Sequence, residues 1–499
     1  MKDFEQQNEI THTPEPAEPR PSLFTILPYI MLPMAMAAAD QTIVSTALPT
    51  IAGELGGVSR VSWIVVANLV AGVSAAPVYG QLRDVYGSRR MMVIALSVYM
   101  AASLFCAMAP NFELLVLGRF LQGLGGGGLM TLSQAIIGET IPPRERAQYQ
   151  GYLAAVVVTA SVSGPMIGGV LTALTGWRSV FLFNIPLGAL ALAVTLRGPA
   201  HSQFVRRSLS FDFAGLALFL GTIAPLLLAL DRLQGASASA VPQATTLLAI
   251  AGASLAGLVW QERRAFQPLL PIALLRQRTI WMSDAVAACH GAALVSLATL
   301  LPIYLHVTQG ASASEAGLAL LPVMLGLGSG SMITGKLVSR TGRTAIFPSV
   351  GLLLATLLLI HQALVIDSWS RGQMIFWLLI AGLSMGTVMS VVQVTVQSTA
   401  GREAIGSAAA SVQISRSVGA ALGATITTAV LFGALQMGAP GSTQAFTELF
   451  SAASTAHPAA PAEALVASIH AAFRWAFLAI AVFTSVGAAL AWNIPKRRL

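Results

Sequence analysis

Apolar segments of about 20 residues recur along this chain from Leu23 to the C-terminus, and they limit its fold more than any other feature. A helix of about that length can cross the hydrocarbon core of a bilayer. Only 10% of the 499 residues are charged, compared with about 25% in soluble domains. The segments also lack the alternating pattern of a transmembrane β-strand. The sequence therefore predicts an all-α polytopic membrane protein.

We predict fourteen transmembrane helices, which places both termini on one side of the membrane. Loops on that side carry 21 lysines and arginines, loops on the other side carry 5, and Arg119 and Arg416 lie within helices. Cytoplasmic loops are enriched in basic residues. We therefore expect a protein of the cell inner (cytoplasmic) membrane with both termini in the cytoplasm. The same distribution explains the net charge of +8 without a nucleic-acid partner.

Two short glycine-containing segments reveal an internal repeat. "GQLRDVYGSRR" begins at Gly80 and "GKLVSRTGR" begins at Gly335, each after the second helix of a set. The offset between them is 255 residues, and the first helices of the two sets are predicted to start 257 residues apart. Parallel repeats of six helices are typical of transporters built from two halves that rock against each other.

This repeat predicts two six-helix halves separated by an extra pair of helices. The resulting domains are a disordered tail at 1–22, an N-terminal half at 23–197, two inserted helices with their loops at 198–262, and a C-terminal half at 263–499. The last of these includes a long outer loop at 434–470. Two amphipathic stretches in that loop, "TQAFTELFSAAS" and "AEALVASIHAAF", predict short interfacial helices.

The turn that starts at Gly80 combines glycines with charged side chains. Gly80 allows close approach of another helix, and Gly87 allows a backbone turn with positive φ. Asp84 can cap the following helix or pair with a nearby arginine such as Arg89. From the residues alone, a helix cap that also anchors the topology is an alternative to any role in a conformational change.

The fourth and fifth helices carry clusters of glycine. Small residues let membrane helices pack backbone to backbone, which suits both "GRFLQGLGGGG" and "SGPMIGG". In the second stretch, Pro165 is expected to kink the helix, and Gly164, Gly168 and Gly169 give it a smooth face. The first stretch is not a phosphate-binding loop, because no Lys-Ser/Thr pair follows the glycines.

Two ionisable residues lie deep within predicted helices of the first half. Asp40 lies 8 residues before the predicted outer end of the first helix, and Arg119 lies 7 residues after the predicted outer start of the fourth. At 1.5 Å per residue, these depths are roughly 12 and 10 Å. We therefore predict an Asp40–Arg119 ion pair, because an unpaired charge at such a depth is costly. It could couple protonation to a conformational change, or it could be a static packing pair.

Other polar side chains within the helices are candidates to line a substrate cavity. His290 has a side chain suited to proton traffic, although a packing role is its alternative. Asp284 lies near the end of its helix, where the helix dipole can stabilise it. The full set of cavity candidates is Gln122, His290, Gln393, Gln397, Gln413 and Arg416.

Four stretches together resemble the fourteen-helix drug:proton antiporters of the major facilitator superfamily, the EmrB/QacA type. They are "ADQTIVSTALP", "GQLRDVYGSRR", "SGPMIGG" and "GWRSVFLFNIPLG". The resemblance implies the major facilitator fold with two inserted helices. It also implies functional residues: Asp40 as the membrane acid, Gly80, Asp84, Gly87 and Arg89 as a conformational latch, and Gly164, Pro165, Gly168 and Gly169 as an antiporter motif.

This resemblance predicts a proton-coupled multidrug efflux transporter that exports lipophilic, cationic or neutral compounds by alternating access. Its expected partners are small-molecule substrates, protons and membrane lipid, and no cofactor, metal or enzymatic activity is expected. The sequence does not decide whether a periplasmic adaptor docks on the outer loop. A substrate-dedicated exporter, a proton-coupled importer and a non-transporting membrane receptor or scaffold are the alternatives.

Overall fold

The computed structural model describes most of the chain as helix. The described residues are 23–55, 60–197, 212–234, 240–265, 268–269, 272–311, 313–366, 371–401, 404–438, 443, 446, 463–495 and 498. The tail predicted at 1–22 lies outside them. Within these ranges, the helices in chain order are α1 (Leu23–Leu55), α2 (Ser62–Tyr86), α3 (Ser88–Ala107), α4 (Phe112–Thr140), α5 (Pro143–Thr175), α6 (Arg178–Leu182), α7 (Asn184–Arg197), α8 (Phe213–Gln234), α9 (Ala240–Glu262), α10 (Ile272–Leu275), α11 (Arg278–Gln309), α12 (Ala313–Leu318), α13 (Leu321–Thr341), α14 (Ile346–Leu364), α15 (Arg371–Ala400), α16 (Ile405–Met437) and α17 (Glu463–Trp492).

The helices account for the fourteen predicted crossings. In the part of the chain that is described, twelve segments are both long and apolar enough to cross a membrane, with α6–α7 and α12–α13 each forming one crossing. The other two crossings are α1 and α4, which have 33 and 29 residues. The chain is thus a multi-pass integral membrane protein.

The same helix pairings recur in the two halves. In the first half α2 packs against α4 and α1 against α5, and in the second half α13 packs against α15 and α11 against α16. In each half, the second helix of the set packs against the fourth and the first packs against the fifth. This agreement confirms the architecture of two six-helix halves that the repeated turns predict.

The inserted pair α8–α9 lies at the edge between the halves. α8 contacts α2 of the first half and α16 of the second, and α9 contacts α8. Phe219, Ile223 and Leu227 of α8 form one apolar cluster with Val70 and Val73 of α2. Only 17% of the apolar window of α9 is buried, so α9 is the outer member of the pair.

The bundle has two faces, which we name by their loops. The termini face carries the α2–α3, α4–α5 and α13–α14 turns, and there the backbone of Arg498 forms a bridge with Arg343. The opposite face carries the α1–α2, α3–α4 and α5–α6 connections. Ion pairs lie there between Arg60 and Glu113 at 3.3 Å and between Arg178 and Glu54.

The outer loop is shorter than predicted. α16 continues to Met437 and α17 begins at Glu463, so both ends of the predicted loop 434–470 are helical. The stretch "AEALVASIHAAF" therefore belongs mainly to α17 and is not a separate interfacial helix. The reason is burial: Ile469 and Phe473 are 2% and 0% exposed and join the core of the second half. The stretch at 443–454 lies largely outside the described residues.

The glycine run of α4 lets α2 pack against its backbone. A Cβ on Gly127 would collide with the carbonyl of Gly72, and one on Gly123 would collide with the carbonyl of Asn68. The neighbouring Gly126 instead faces the ring of Tyr99, and a Cβ added there would lie 3.7 Å from the nearest ring atom. Adjacent glycines of one helix therefore differ in how much space they have.

This difference gives a matched pair of substitutions. We expect Gly127→Ala to destabilise the protein by about 1–3 kcal/mol, because the added methyl group meets backbone atoms that cannot move aside. Gly126→Ala should leave stability almost unchanged. Thermal unfolding of the purified variants in detergent measures both effects. Equal unfolding temperatures for the two variants would contradict the close packing of Gly127 against α2.

Candidate functional site

Asp40 and Arg119 meet inside the first half. Nη1 of Arg119 lies 2.6 Å from Oδ2 of Asp40, and the two residues are each only 2% exposed. Asp40 lies on α1 and Arg119 lies on α4. Their contact agrees with the similar depths predicted for the two residues. The Arg119 guanidinium also lies over the Phe181 ring, with 5.9 Å between its Cζ atom and the ring centroid.

Two amides complete the surroundings of the Asp40 carboxylate. Gln122 and Asn184 each donate a hydrogen bond to Oδ1 of Asp40, both at 3.0 Å. Gln122 also accepts from Nη1 of Arg119 at 2.7 Å and donates to Oγ of Ser103 at 2.9 Å. The carboxylate thus joins α1, α4 and α7 in one network with no net charge.

The glycines of the predicted antiporter motif hold α5 against α1 near this network. A Cβ on Gly164 would collide with the side chain of Thr42, and one on Gly168 would lie 2.6 Å from the carbonyl of Ile43. These contacts lie two and three residues after Asp40 on α1. The motif therefore lets α5 approach the backbone of the helix that carries the acid.

The remaining members of that motif mark where the two halves separate. Val158 of α5 is buried in the apolar core of the second half. At helical spacing the same face of α5 continues to Pro165 and Gly169, and both are exposed. A Cβ on Gly169 would have no atom within 4 Å. Towards the opposite face, α5 therefore leaves the second half.

At the termini face, by contrast, the halves touch through glycines. The carbonyl of Gly406 at the start of α16 would lie 2.9 Å from a Cβ on Gly80 of α2, and the reverse contact is closer still. Nearby, Nε2 of Gln397 donates to the carbonyl of Gln134 at 2.9 Å, across the same interface. The structure is thus closed at the termini face.

The charged residues around Gly80 form a cluster centred on Arg83. Arg83 is 5% exposed, and its Nε lies 2.7 Å from Oε1 of Glu139 in α4. Its Nη1 donates to Asp84 at 2.8 Å, and Ser88 donates to Glu139 at 2.7 Å. Asp84 therefore pairs with an arginine rather than capping α3, whose N-cap is Gly87 with φ of 85°.

Arg89 makes its contact elsewhere, because its guanidinium donates to the carbonyl of Leu196 at the end of α7. Among the described residues, the cluster and Arg89 thus bind elements of the first half. The turn region contacts the second half through Gly80, and Nη1 of Arg83 would lie 3.0 Å from a Cβ on Gly406 of α16.

One cavity of about 410 Å³ lies between the halves. Both halves contribute polar side chains to it, and three of the predicted cavity residues, His290, Gln393 and Arg416, are among them. Its complete lining is Met34, Gln134, Gln150, Ala154, Ala287, His290, Val388, Met389, Val392, Gln393, Val412 and Arg416.

A second cavity of about 450 Å³ includes Asp40 in its wall. α16 of the second half contributes Gln413 and Ser417 to it, and the first half contributes the rest. Gln413 accepts a hydrogen bond from Arg416, which lines the first cavity. One pair of side chains on α16 therefore connects the wall beside Asp40 with the cavity between the halves.

Two of the predicted cavity residues have other roles. Gln122 is fully buried and serves the Asp40 network, and it lines neither of these cavities. Gln397 bridges the halves at the termini face through the backbone of α4. The physical reason is the same for both: each amide finds polar partners on a neighbouring helix before it reaches open space.

Several residues of the site are absent from the sequence-based candidates. Glu139 and Gly406 meet Arg83 and Gly80 only in the folded chain, and Gln150 joins the cavity lining. Asn184 is also absent from those candidates, yet it donates to Asp40. An amide inside a membrane helix is the signal available for Gln150 and Asn184, since such groups need a polar partner.

We expect the Asp40–Arg119 pair to show strong energetic coupling. Asp40→Leu leaves a buried guanidinium without its acid, which costs about 3–5 kcal/mol of stability. The double variant Asp40→Leu with Arg119→Met removes both charges and should regain most of that loss. Thermal unfolding of the two variants and of Arg119→Met measures the coupling. Strictly additive losses would show that the side chains do not interact.

The Gly80–Gly406 contact predicts a conformational effect. Gly406→Leu should push the halves apart at the termini face, and a packing cost of about 1–3 kcal/mol shifts the equilibrium by about 5- to 150-fold. Spin labels at the exposed positions Arg144 and Arg340, with Cys106 and Cys289 replaced by alanine, report the distance by double electron–electron resonance.

Gly433→Leu is the control for this experiment on the same helix, because a Cβ on Gly433 meets no atom within 4 Å. Its distance distribution should match that of the unaltered protein. An unchanged distance distribution in Gly406→Leu would refute the role of the glycine contact.

Comparison with known proteins places the chain in a family. Residues 30–424 match the family model of the Major Facilitator Superfamily. The chain is 34% identical over 367 residues to the multidrug transporter protein MdtP of Bacillus subtilis (strain 168), covering 72% of this chain and 66% of MdtP. It is 31% identical over 306 residues to multidrug resistance protein 3 of the same organism, covering 61% of this chain and 60% of that protein. The chain thus spans less than two thirds of the length of these relatives.

A solved structure shares the fold. The human organic anion transporter MFSD10 (TETRAN) superposes with a TM-score of 0.64 at 14% identity, covering 94% of this chain and 99% of that chain. At so low an identity, the likeness concerns the fold alone. Together with the family match and the paired six-helix halves, it leads to one conclusion. The chain belongs to the Major Facilitator Superfamily.

Proposed function

We propose that the protein is a proton-coupled transporter that exports lipophilic compounds by alternating access. One observation carries this proposal: a buried carboxylate, Asp40, lies in a charge-neutral network and also forms part of a cavity wall. A group that titrates at such a position can change the cavity when it gains or loses a proton. The relatives named as multidrug transporters support export of small molecules.

The network suggests how a proton would alter the structure. Protonation of Asp40 removes the charge that Arg119 pairs with, while Arg119 keeps its contact with Gln122. Because Asp40 lies on α1 and Arg119 on α4, loss of the ion pair weakens the link between these helices. Both helices border the second cavity, so the cavity wall changes with the protonation state.

The contacts between the halves suggest how access to the two sides of the membrane would alternate. In this conformation the halves meet at the termini face through Gly80 and Gly406, and α5 leaves the second half beyond Val158. The bias of basic residues supports a cytoplasmic termini face in the inner membrane. In that orientation the conformation is closed to the cytoplasm, and the inward-facing state requires the Gly80–Gly406 contact to open.

Energy from the proton gradient suits this arrangement. One elementary charge crossing the membrane gains about 2.3 kcal/mol per 100 mV. Asp40 offers a place to hold the proton during the crossing, with Gln122 and Asn184 as hydrogen-bond donors to the same carboxylate. Export in exchange for protons needs no further energy source.

Proteoliposomes test this function directly. The protein is reconstituted with a pH-sensitive dye inside, and ethidium, 2-naphthamide and 2-naphthalenesulfonate are added as cationic, neutral and anionic probes. We expect at least one probe to drive a proton flux that exceeds the flux in protein-free liposomes. Asp40→Asn should lower that flux at least about tenfold, because the amide holds no exchangeable proton of this kind.

Ser45→Ala is the matched control on α1. Ser45 is exposed, and its hydroxyl contacts the carbonyl of Thr42 in its own helix, so its flux should equal that of the unaltered protein. If Asp40→Asn exchanges protons for the probe as fast as the unaltered protein, the proposed mechanism is wrong. Probe uptake that follows the proton gradient in the same direction would identify an importer.

A further inference from the structure

The cavity between the halves contains an arginine that belongs to none of the ion pairs among the described residues. Arg416 of α16 lines this cavity, and its guanidinium donates to Oε1 of Gln413. The ion pairs of the described residues are made by other arginines. A guanidinium keeps its charge in proteins, so this charge needs an interaction partner inside the membrane.

Two buried acids of the membrane helices, Asp40 and Asp284, form no ion pair with Arg416, although Oδ2 of Asp284 is buried without a hydrogen bond. Asp40 is paired with Arg119. Asp284 of α11 accepts from Ser411 at 3.4 Å and precedes His290 by 6 residues, which is roughly 9 Å along the helix towards the termini face. Arg416 is therefore the formally charged side chain in the lining of this cavity, and the lining carries a positive charge.

Uncharged polar atoms around Arg416 also lack partners among the described residues. Nε2 of Gln150, Nε2 of Gln393 and Nε2 of His290 are buried without a hydrogen bond, and these residues are 3%, 5% and 1% exposed. Buried polar atoms are almost always satisfied in folded proteins. All three side chains line the same cavity, so a ligand there would satisfy several of them at once.

The rest of the lining is apolar. Ala287, Val388, Met389, Val392 and Val412 surround the polar groups. The cavity thus offers an apolar wall with one fixed cation and a few amide and imidazole groups.

We propose that this cavity binds amphiphilic organic anions, with a carboxylate or sulfonate held by Arg416 and an apolar body held by the valine and methionine side chains. The planar guanidinium matches an oxyanion with two parallel hydrogen bonds, and the amides of Gln150 and Gln393 are the further donors. This substrate class rests on the proposed export function. It differs from the cationic or neutral compounds that the family resemblance suggests.

Equilibrium binding to the purified protein in detergent tests the proposal without any gradient. The probes are two matched pairs, 2-naphthoate with 2-naphthamide and 2-naphthalenesulfonate with 2-naphthalenesulfonamide, together with the cation 2-naphthylmethylammonium. We expect each anion to bind at least about tenfold more tightly than its neutral partner. The cation should bind more weakly than both anions.

Arg416→Gln should remove this preference, lowering the affinity for both anions at least about tenfold while changing the neutral probes little. Arg416→Lys keeps the charge and should lose less of the affinity for the anions. Arg60→Gln removes an exposed arginine on the opposite face and should bind all probes as the unaltered protein does. Thermal unfolding of each variant confirms that it is folded.

Two results would overturn the anion site. One is equal or tighter binding of the neutral or cationic probes to the unaltered protein, which includes the case in which no anion binds. The other is a uniform loss of all probes in Arg416→Gln, which indicates that Arg416 only shapes the cavity.

The variant Asp40→Asn separates this site from the proposed proton coupling. It should lose proton-linked flux, while the anion affinities of the unaltered protein and of Arg416→Gln decide the anion site. If Asp40→Asn keeps that flux, the transport mechanism fails while anion binding can still stand. If cations alone drive proton flux and the anions do not bind, the transport function stands and the anion site fails.

Discussion

The ion pair between Asp40 and Arg119 is the interaction on which the organisation of the first half depends. An unpaired charge inside the membrane costs several kcal/mol, so each side chain requires the other. The 2.6 Å contact therefore fixes the position of α1 relative to α4, and Asn184 brings α7 to the same carboxylate. The glycine contacts of α5 then hold α1 from its other side.

The interface between the halves depends on close packing of the backbone. Gly80 and Gly406 meet without side chains, so their contact is short and leaves no space for even a methyl group. Arg83 lies beside this contact and is bound to Glu139 on α4. In the proposed mechanism, proton-dependent changes at α1 and α4 act on helices that reach the termini face, where the halves would part for alternating access.

Much of the fold follows from the sequence because membrane helices are local features. Apolar length predicts each crossing, and the repeated turns at Gly80 and Gly335 predict the two halves. The Asp40–Arg119 pair is predictable because both residues can be placed by counting along their helices. The pairing also has few alternatives, since charges are rare within these segments.

The finer site is not predictable, because it depends on which helix faces lie opposite each other. Gln122 and Gln397 have the same side chain as Gln393, yet one serves the acid, one bridges the halves and one lines a cavity. Asn184 lies 144 residues from Asp40 in the chain, and nothing local connects them. The predicted end of the outer loop is wrong because its apolar residues join the core rather than the membrane surface.

Proton-coupled export requires that Asp40 gain and lose a proton as the protein works. Difference infrared spectroscopy of the purified protein across a pH series measures this directly, with Asp40→Asn as the reference that lacks the group. The predicted result is a protonated carboxyl band that appears within the pH range of transport and is absent in Asp40→Asn. If Asp40 stays ionised throughout that range, it is only a static packing partner of Arg119, and the account is contradicted.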